Sequence, residues 1–392
     1  MSLVAGSYDK FIWGFTLRHQ SLALLFSYPS HLSPIKTVAL SGSVVASGGD
    51  DDIIQLYDLS ASSSVGSLYH HSATVTALSF YTPPRLPFPR NLVSVDTAGS
   101  LSISFFDGDS FVHLKSFSVH RKAINDLAVH PSGEHALTVA ADKCLNVVDL
   151  VRGRRSCRCP LGKEASLVKF NAAGDRFFVA AEEKVSVHEW NEDARLLLQL
   201  ECPKRVLCAA PARNGLLYTG GEDRNITAWD INSGKVAYCL EEAHTTRVKG
   251  IAMLTDNDGA TGDDDPYLVA SASSDGIIRV WDVRMTAREK PLAEYNTHSR
   301  LTCLAGTCLK CKLRGTLSQE DQYVIFYKNG ALSKDNDPRL ERVNQSIVKV
   351  GRGQVRIVTR HTTTKLVSPS THNELPKRGQ AKALLNLCSL KW

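Results

Sequence analysis

Between residues 267 and 284 the chain reads YLVASASSDGIIRVWDVR: an apolar run, a polar break at Ser273-Ser274-Asp275-Gly276, and a second apolar run ending in Trp281-Asp282. This pattern predicts two short strands joined by a tight turn. β-Branched and aromatic side chains suit a pleated, half-buried surface. Asp and Gly tolerate the backbone angles that such a turn demands.

The unit recurs. Residues 219–230, TGGEDRNITAWD, align with 271–282 without a gap, setting Asp223 on Asp275 and Trp229 on Trp281. Residues 47–58 set Asp51 and Tyr57 on the same positions, and residues 138–149 set Asp142 and Val148 there. Two copies are worn: 179–190, with Glu183 in the turn and the Trp one place late, and 94–107, which reads two residues longer and lacks the turn Asp. At the chain start, residues 5–16 supply Asp9 and Phe15. A spacing of about 40–50 residues is the period of a four-stranded propeller blade of the WD type.

Each blade needs an inner strand before its strand–turn–strand unit. Six are visible: 35–40, 75–80, 124–129, 166–170, 206–210 and 248–253. A seventh, 300–306, has no unit behind it, while the chain start has a unit with no inner strand before it. The two orphans complete one blade, because an unpaired edge strand exposes a row of backbone groups. The fold expected is an all-β, seven-bladed WD-repeat propeller over residues 1–312, closed by N-terminal strands on the last inner strand. A basic, mostly irregular tail over 313–392 follows, with strand-like alternation in SIVKVGRGQVRIVTR and a short helix at AKALLNLCSL.

His71, His120, His244 and His298 each lie just before an inner strand. In the blade ending at Trp281, the residues His244, Ser271, Asp275 and Trp281 are expected to form a buried hydrogen-bonded chain, which holds only if every member is satisfied. The same residue types could make a catalytic triad, but the chain has no nucleophile elbow and the pattern repeats as structure, so no catalytic residue is assigned. Cys308-Leu-Lys-Cys311, with Cys303 and His298 upstream, is a single CxxC without a second pair, so no metal is assigned either. No cofactor signature is present. Insertions at 83–90 and 255–266 interrupt the passage from an inner strand to its neighbour, and both are expected on one face. The aspartates of the second do not follow a calcium-loop spacing.

Hydrophobic residues make up 43% and charged residues 22% of the 392 residues, as in soluble globular proteins. No apolar run approaches the length of a membrane span, and the N-terminal residues lack the pattern of a secretory signal. Ten cysteines without compact spacing suggest reduced thiols in the cytosol or nucleus, and a monomer is expected. Of the formal charge of +6, the residues from 319 onward carry +7 and the remainder −1. A segregated basic segment suits an anionic partner such as RNA.

Four stretches, LVAGSYDKFIWGF, VASGGDDDIIQLYDL, HPSGEHALTVAADKCLNVVDL and NTHSRLTCLAGTCLKCK, together resemble the PAK-interacting, Mak-type WD-repeat family of large-ribosomal-subunit assembly. The resemblance spans about residues 3–312. It implies a nucleolar factor that joins large-subunit precursors and pre-ribosomal proteins, and, as described for animal relatives, binding and restraint of a p21-activated kinase. The family usually ends in a long lysine-rich tail, whereas the tail here is basic but mixed. A separate reading comes from Trp281-Asp282-Val283-Arg284, with Ile278 and Asp275. It matches the WDxR box by which substrate receptors engage a cullin-ligase adaptor, and Arg284 would pair with an adaptor carboxylate.

Overall fold

The computed structural model describes residues 1–307 except positions 19, 85, 87, 109, 192–193, 255–266 and 285–289, together with two further strands at 345–351 and 354–360. Seven four-stranded antiparallel sheets follow one another along the chain. Blade 2 runs Ile35–Ser41, Val44–Gly49, Ile54–Asp58, Ser63–Leu68, and blade 3 runs Val75–Tyr81, Asn91–Asp96, Ser100–Phe106, Phe111–Ser118. Blade 4 is Ile124–Val129, His135–Ala140, Cys144–Asp149, Arg154–Pro160, and blade 5 is Leu167–Phe170, Arg176–Ala181, Lys184–Glu189, Leu196–Glu201. Blade 6 is Val206–Pro211, Leu216–Gly221, Ile226–Asp230, Val236–Leu240, and blade 7 is Val248–Leu254, Leu268–Ser273, Ile277–Asp282, Ala293–Asn296.

Blade 1 joins the two ends of the ring. Its inner strand Leu301–Thr307 pairs with Ser2–Ser7, which pairs in turn with Phe11–Arg18 and then Ser21–Pro29. Val4 lies opposite Ala305 and Leu3 opposite Gly306, so the closure is a full ladder. The Thr302 hydroxyl donates to the carbonyls of Gly6 and Ile35, tying blade 1 to blade 2.

Alternation along each strand sends apolar residues to both faces of a blade, because each blade is covered on both sides by its neighbours. Seven apolar clusters result, one per interface. Leu3, Ala5 and Phe15 pack against Ala270, Ile278 and Val280 of blade 7, while Val4 and Ile12 pack against Val38 and Val45 of blade 2. Each inner strand touches the next around the ring. That crowding explains Gly250, where a Cβ would lie 2.5 Å from the Cβ of Leu304. Gly276 answers to backbone geometry instead: its φ of 86° closes the turn of blade 7.

Two worn units differ from the gapless reading. In blade 5, Ala181 pairs with Lys184 across a two-residue turn, Glu182 adopting φ 56°. The turn is one residue shorter than in blade 7, so His188, opposite Phe177, takes the place that Trp281 takes opposite Val269. In blade 3 the unit is of ordinary length: Ser104 holds the Trp position opposite Leu92. The second compact unit, Leu313–Lys377, contains an antiparallel hairpin of Gln345–Gly351 with Gln354–Arg360, which gives the alternating tail segment a place of its own. The helix expected at 381–390, and Cys308 and Cys311, lie outside the described residues.

Candidate protein-interaction face

One face of the ring carries the connections into the inner strands and the turns between second and third strands. There, four blades are fastened by a buried imidazole. In blade 4, His120 Nδ1 donates to Asp142 Oδ1 at 3.0 Å and Nε2 meets Thr138 Oγ1 at 2.9 Å. Burial pushes the His120 pKa down, against the pull of Asp142, which favours the neutral ring. In blade 7, Trp281 Nε1 donates to Ser271 Oγ at 3.0 Å, and that hydroxyl lies 2.8 Å from His244 Nε2. The last link, His244 Nδ1 to Asp275 Oδ2, is 3.5 Å and too long for a good hydrogen bond, so the expected chain is incomplete at that nitrogen. Burial alone would raise the Asp275 pKa. The nearby His244, the Ile277 amide and Thr245 more than offset that, and hold the carboxyl well below its ordinary range.

Two further blades are fastened in the same way. His31, which the strand pattern does not mark, bonds Asp51 at 2.9 Å and Ser47 at 2.8 Å. His71 bonds Asp96 at 2.8 Å and Ser94 at 2.7 Å. Asp96 ends its strand and does not stand in the turn, so the blade has the carboxylate that alignment to turn positions denies it. The usable signal was a histidine four residues before each inner strand.

The same offset corrects His298. Thr297 occupies the buried slot, its hydroxyl donating to Gly276 O at 2.8 Å, while His298 is exposed with φ 53°. Asp9 consequently meets no imidazole and accepts from the Arg300 amide at 3.0 Å. In blade 6 the slot holds Cys202. Trp229 Nε1 still donates to Thr219 at 2.9 Å, but Asp223 is left half-buried with its pKa raised by burial. A cavity of about 10 Å³, the room of a single water, lies between Cys202, Thr219 and Asp223. In blade 5, Leu161 fills the slot, Val179 replaces the hydroxyl residue, and Glu183 is exposed.

His188 adds a pH response. It is buried, stacks on Phe177 with ring centroids 4.9 Å apart, and places Nδ1 3.4 Å from the Ala194 carbonyl. Burial pushes its pKa from 6.5 down to about 4. Above pH 6.5 the ring is neutral in folded and unfolded chains alike. As pH falls toward 4 the unfolded chain takes up a proton that the folded one refuses, a loss of stability approaching about 3 kcal/mol. His188→Phe is expected to reduce the fall of the urea midpoint across that window. Identical declines in both proteins would remove His188 as the cause.

The axis opens on this face. In six blades the register shifts after the first inner-strand residue, a bulge that re-aims the next side chain. The residues so placed are Lys36, Thr76, Asn125, Leu207, Lys249 and Thr302. Lys36, Thr76 and Asn125 line an open mouth of about 420 Å³ that also takes in Asp50, Glu164 and Arg205. Lys36 pairs with Asp50 at 3.0 Å, and Asn125 donates to Glu164 at 3.0 Å. The mouth is wide and lined by polar side chains of blades 2 to 6, a surface suited to recognition.

The WDxR residues lie at the end of the third strand of blade 7, where Asp282 pairs with Leu268, away from the Asp275 turn. Trp281 is buried, and Asp282 accepts from the Arg284 amide and, at 3.1 and 2.8 Å, from its guanidinium. That guanidinium also stacks 3.6 Å over the ring of Tyr267. The 83–90 and 255–266 insertions each join the far end of an inner strand to a second strand, so both connections leave from this opposite end; positions 255–266 themselves lie outside the described residues.

A ring of seven four-stranded blades, fastened by His–Asp pairs and Trp–Ser/Thr bonds, defines a WD-repeat propeller of the kind that serves protein interaction. The WD domain, G-beta repeat family matches residues 111–149 and 235–282, the repeats that contain His120–Asp142 and His244–Asp275. The chain is 30% identical over 310 residues to "p21-activated protein kinase-interacting protein 1-like" of Danio rerio, covering 78% of this chain and 80% of the relative. It is 24% identical over 308 residues to "Shk1 kinase-binding protein 15" of Schizosaccharomyces pombe, covering 78% and 83%. It is 26% identical over 318 residues to "Protein MAK11" of Saccharomyces cerevisiae, covering 71% and 74%. The chain belongs to this PAK-interacting, Mak-type family of WD-repeat proteins.

Proposed function

We propose that this protein is a non-catalytic scaffold in assembly of the large ribosomal subunit, acting in the nucleolus. The propeller binds assembly proteins and the basic C-terminal segment contacts precursor RNA. The observation that supports this reading best is the segregation of charge, with +7 from residue 319 onward and −1 before it. Phosphate contacts by that segment would fall steeply with salt, because each neutralised phosphate releases counterions. The propeller's protein contacts do not depend on that segment, so the two parts fail separately. Depletion is expected to lower free large subunits in a sucrose gradient while small subunits stay comparatively abundant. Removing residues 319–392 is expected to weaken RNA association and leave a folded propeller. Unchanged large-subunit levels, with the protein absent from pre-ribosomal fractions, would sink the reading.

A second reading, binding and restraint of a p21-activated-type kinase, is favoured by the names of the Danio rerio and Schizosaccharomyces pombe relatives. Co-purification separates the two, since precursor particles and a kinase are different companions. An adaptor-binding role for the WDxR box would rest on Arg284 alone. Trp281 is buried, and Asp282 already engages that guanidinium.

A further inference from the structure

The residue immediately before the inner strand is Arg in three consecutive blades: Arg205 in blade 6, Arg247 in blade 7 and Arg300 in blade 1. In blades 2, 3 and 4 it is Pro34, Thr74 and Ala123. In the six blades other than blade 5 the position is fixed the same way. Its carbonyl accepts from the blade's own turn, from Glu222 N to Arg205, Ser274 N to Arg247 and Tyr8 N to Arg300, just as Asp50 N bonds Pro34 and Thr97 N bonds Thr74. Three arginines therefore stand at equivalent backbone points on three adjoining blades, all near enough to act on one lysine. Lys249, re-aimed by the bulge of blade 7, joins them. Burial lowers its pKa first, and Arg247, Arg300 and Arg205 add to that. Among the described residues none of these four cations has a carboxylate within ion-pair distance. Elsewhere on the inner strands the cations are matched, as Lys36 is by Asp50 and Lys169 by Asp126 at 2.9 Å.

Apolar surface adjoins the arc. Tyr8 is 51% exposed with the Arg300 guanidinium 5.3 Å from its ring centre, and Leu32, on the entry to blade 2, is 78% exposed. The two are close along the backbone network, since Ser30 and His31 both bond the carbonyl of Lys10 in the Tyr8 turn. Exposed Tyr and Arg around a desolvated centre are the residue types that carry interface energy.

We infer that this arc, Arg205, Arg247, Lys249 and Arg300 with Tyr8 and Leu32, is a docking site for a short acidic peptide segment of a partner protein, carrying carboxylates beside an apolar side chain. The proposal rests on the scaffold reading and names the chemistry of one of its contacts. A nucleic acid fits less well. The chain before residue 319 carries a net charge of −1, so it has no broad positive field to hold a continuous phosphate backbone, whereas a short segment needs only the arc.

The test uses the full chain and three probes: a labelled peptide repeating Glu-Glu-Leu, the same repeat with Lys for Glu, and a poly-uridine oligonucleotide. The Glu peptide is expected to bind in a salt-dependent manner and the Lys peptide not to bind. Arg247→Glu with Lys249→Glu is expected to weaken the Glu peptide by about tenfold or more, a change of about 1.4 kcal/mol. Should that pair lower the melting temperature, Arg205→Gln with Arg300→Gln, both on exposed side chains, gives the deciding comparison. Failure of the wild-type chain to bind the Glu peptide overturns the proposal, and so does equal affinity in the folded variants. Oligonucleotide binding that these substitutions abolish, without peptide binding, overturns it in favour of nucleic acid. Sedimentation of ribosomal particles does not enter the readout, so this site and the assembly role stand or fall separately.

Discussion

A chain lacking residues 1–18 is expected to lose the propeller as a whole and to associate. Those residues supply two of the four strands of blade 1. Leu3, Val4, Ile12 and Phe15 are each exposed by 1% or less. Burying a large apolar side chain contributes about 1.5–3 kcal/mol, so four contribute on the order of 6–12 kcal/mol. That is comparable with the whole net stability of a domain, about 5–15 kcal/mol. The loss also falls on two interfaces at once, because Leu3 and Phe15 face blade 7 while Val4 and Ile12 face blade 2. The inner strand Leu301–Thr307 is left with an unpaired ladder edge, which invites pairing with another chain. Thermal melting with light scattering reads both consequences. A truncated chain that melts at the wild-type temperature as a monomer would show that the ring is not held by this closure.

Closure was legible because it is a counting argument. Seven inner strands and an N-terminal unit without one leave a single way to pair the remainder. The fastening residues were legible only where the hairpin kept its ordinary length. His120 and Asp142 follow from position, whereas Asp96 was hidden because a residue at the strand's end does the work of one in the turn. Thr297 was hidden by its neighbour: a histidine beside the slot is a stronger signal than a threonine inside it. His188 was displaced by one residue, since a two-residue turn looks like a gapless alignment until the register is seen. The cationic arc was absent from the reading for a different reason. Arg205, Arg247 and Arg300 stand 42 and 53 residues apart in sequence and meet only when the ring stacks their blades side by side. The bulge that turns Lys249 toward them has no mark of its own in the sequence.

The remaining large effect concerns the fastening itself, which behaves as a unit. His120→Leu in blade 4 is expected to cost about 1–3 kcal/mol, the penalty for leaving buried polar groups without a partner. It leaves the Asp142 carboxylate, with a side chain only 7% exposed, to the Arg121 and Cys144 amides and to Arg158 at 3.6 Å, and the Thr138 hydroxyl without its imidazole. The cost should come from the stranded polar groups, not from the new side chain, because the protein already tolerates leucine in this slot. Blade 5 holds Leu161 there, with Val179 in place of the hydroxyl residue and Glu183 out in solvent. An all-apolar slot is thus a stable alternative, as expected when a half-satisfied network is worse than none. Blade 6 shows the intermediate condition: Asp223 without an imidazole, its pKa raised by burial, beside a small cavity. Combining His120→Leu with Thr138→Val and Asp142→Asn should therefore recover at least about half of the loss, the asparagine keeping the bond to the Cys144 amide without a charge. Urea denaturation of the single and triple variants measures this directly. A triple variant less stable than His120→Leu alone would mean that Thr138 and Asp142 stabilise blade 4 independently of the imidazole, and that the fastening is a set of separate bonds.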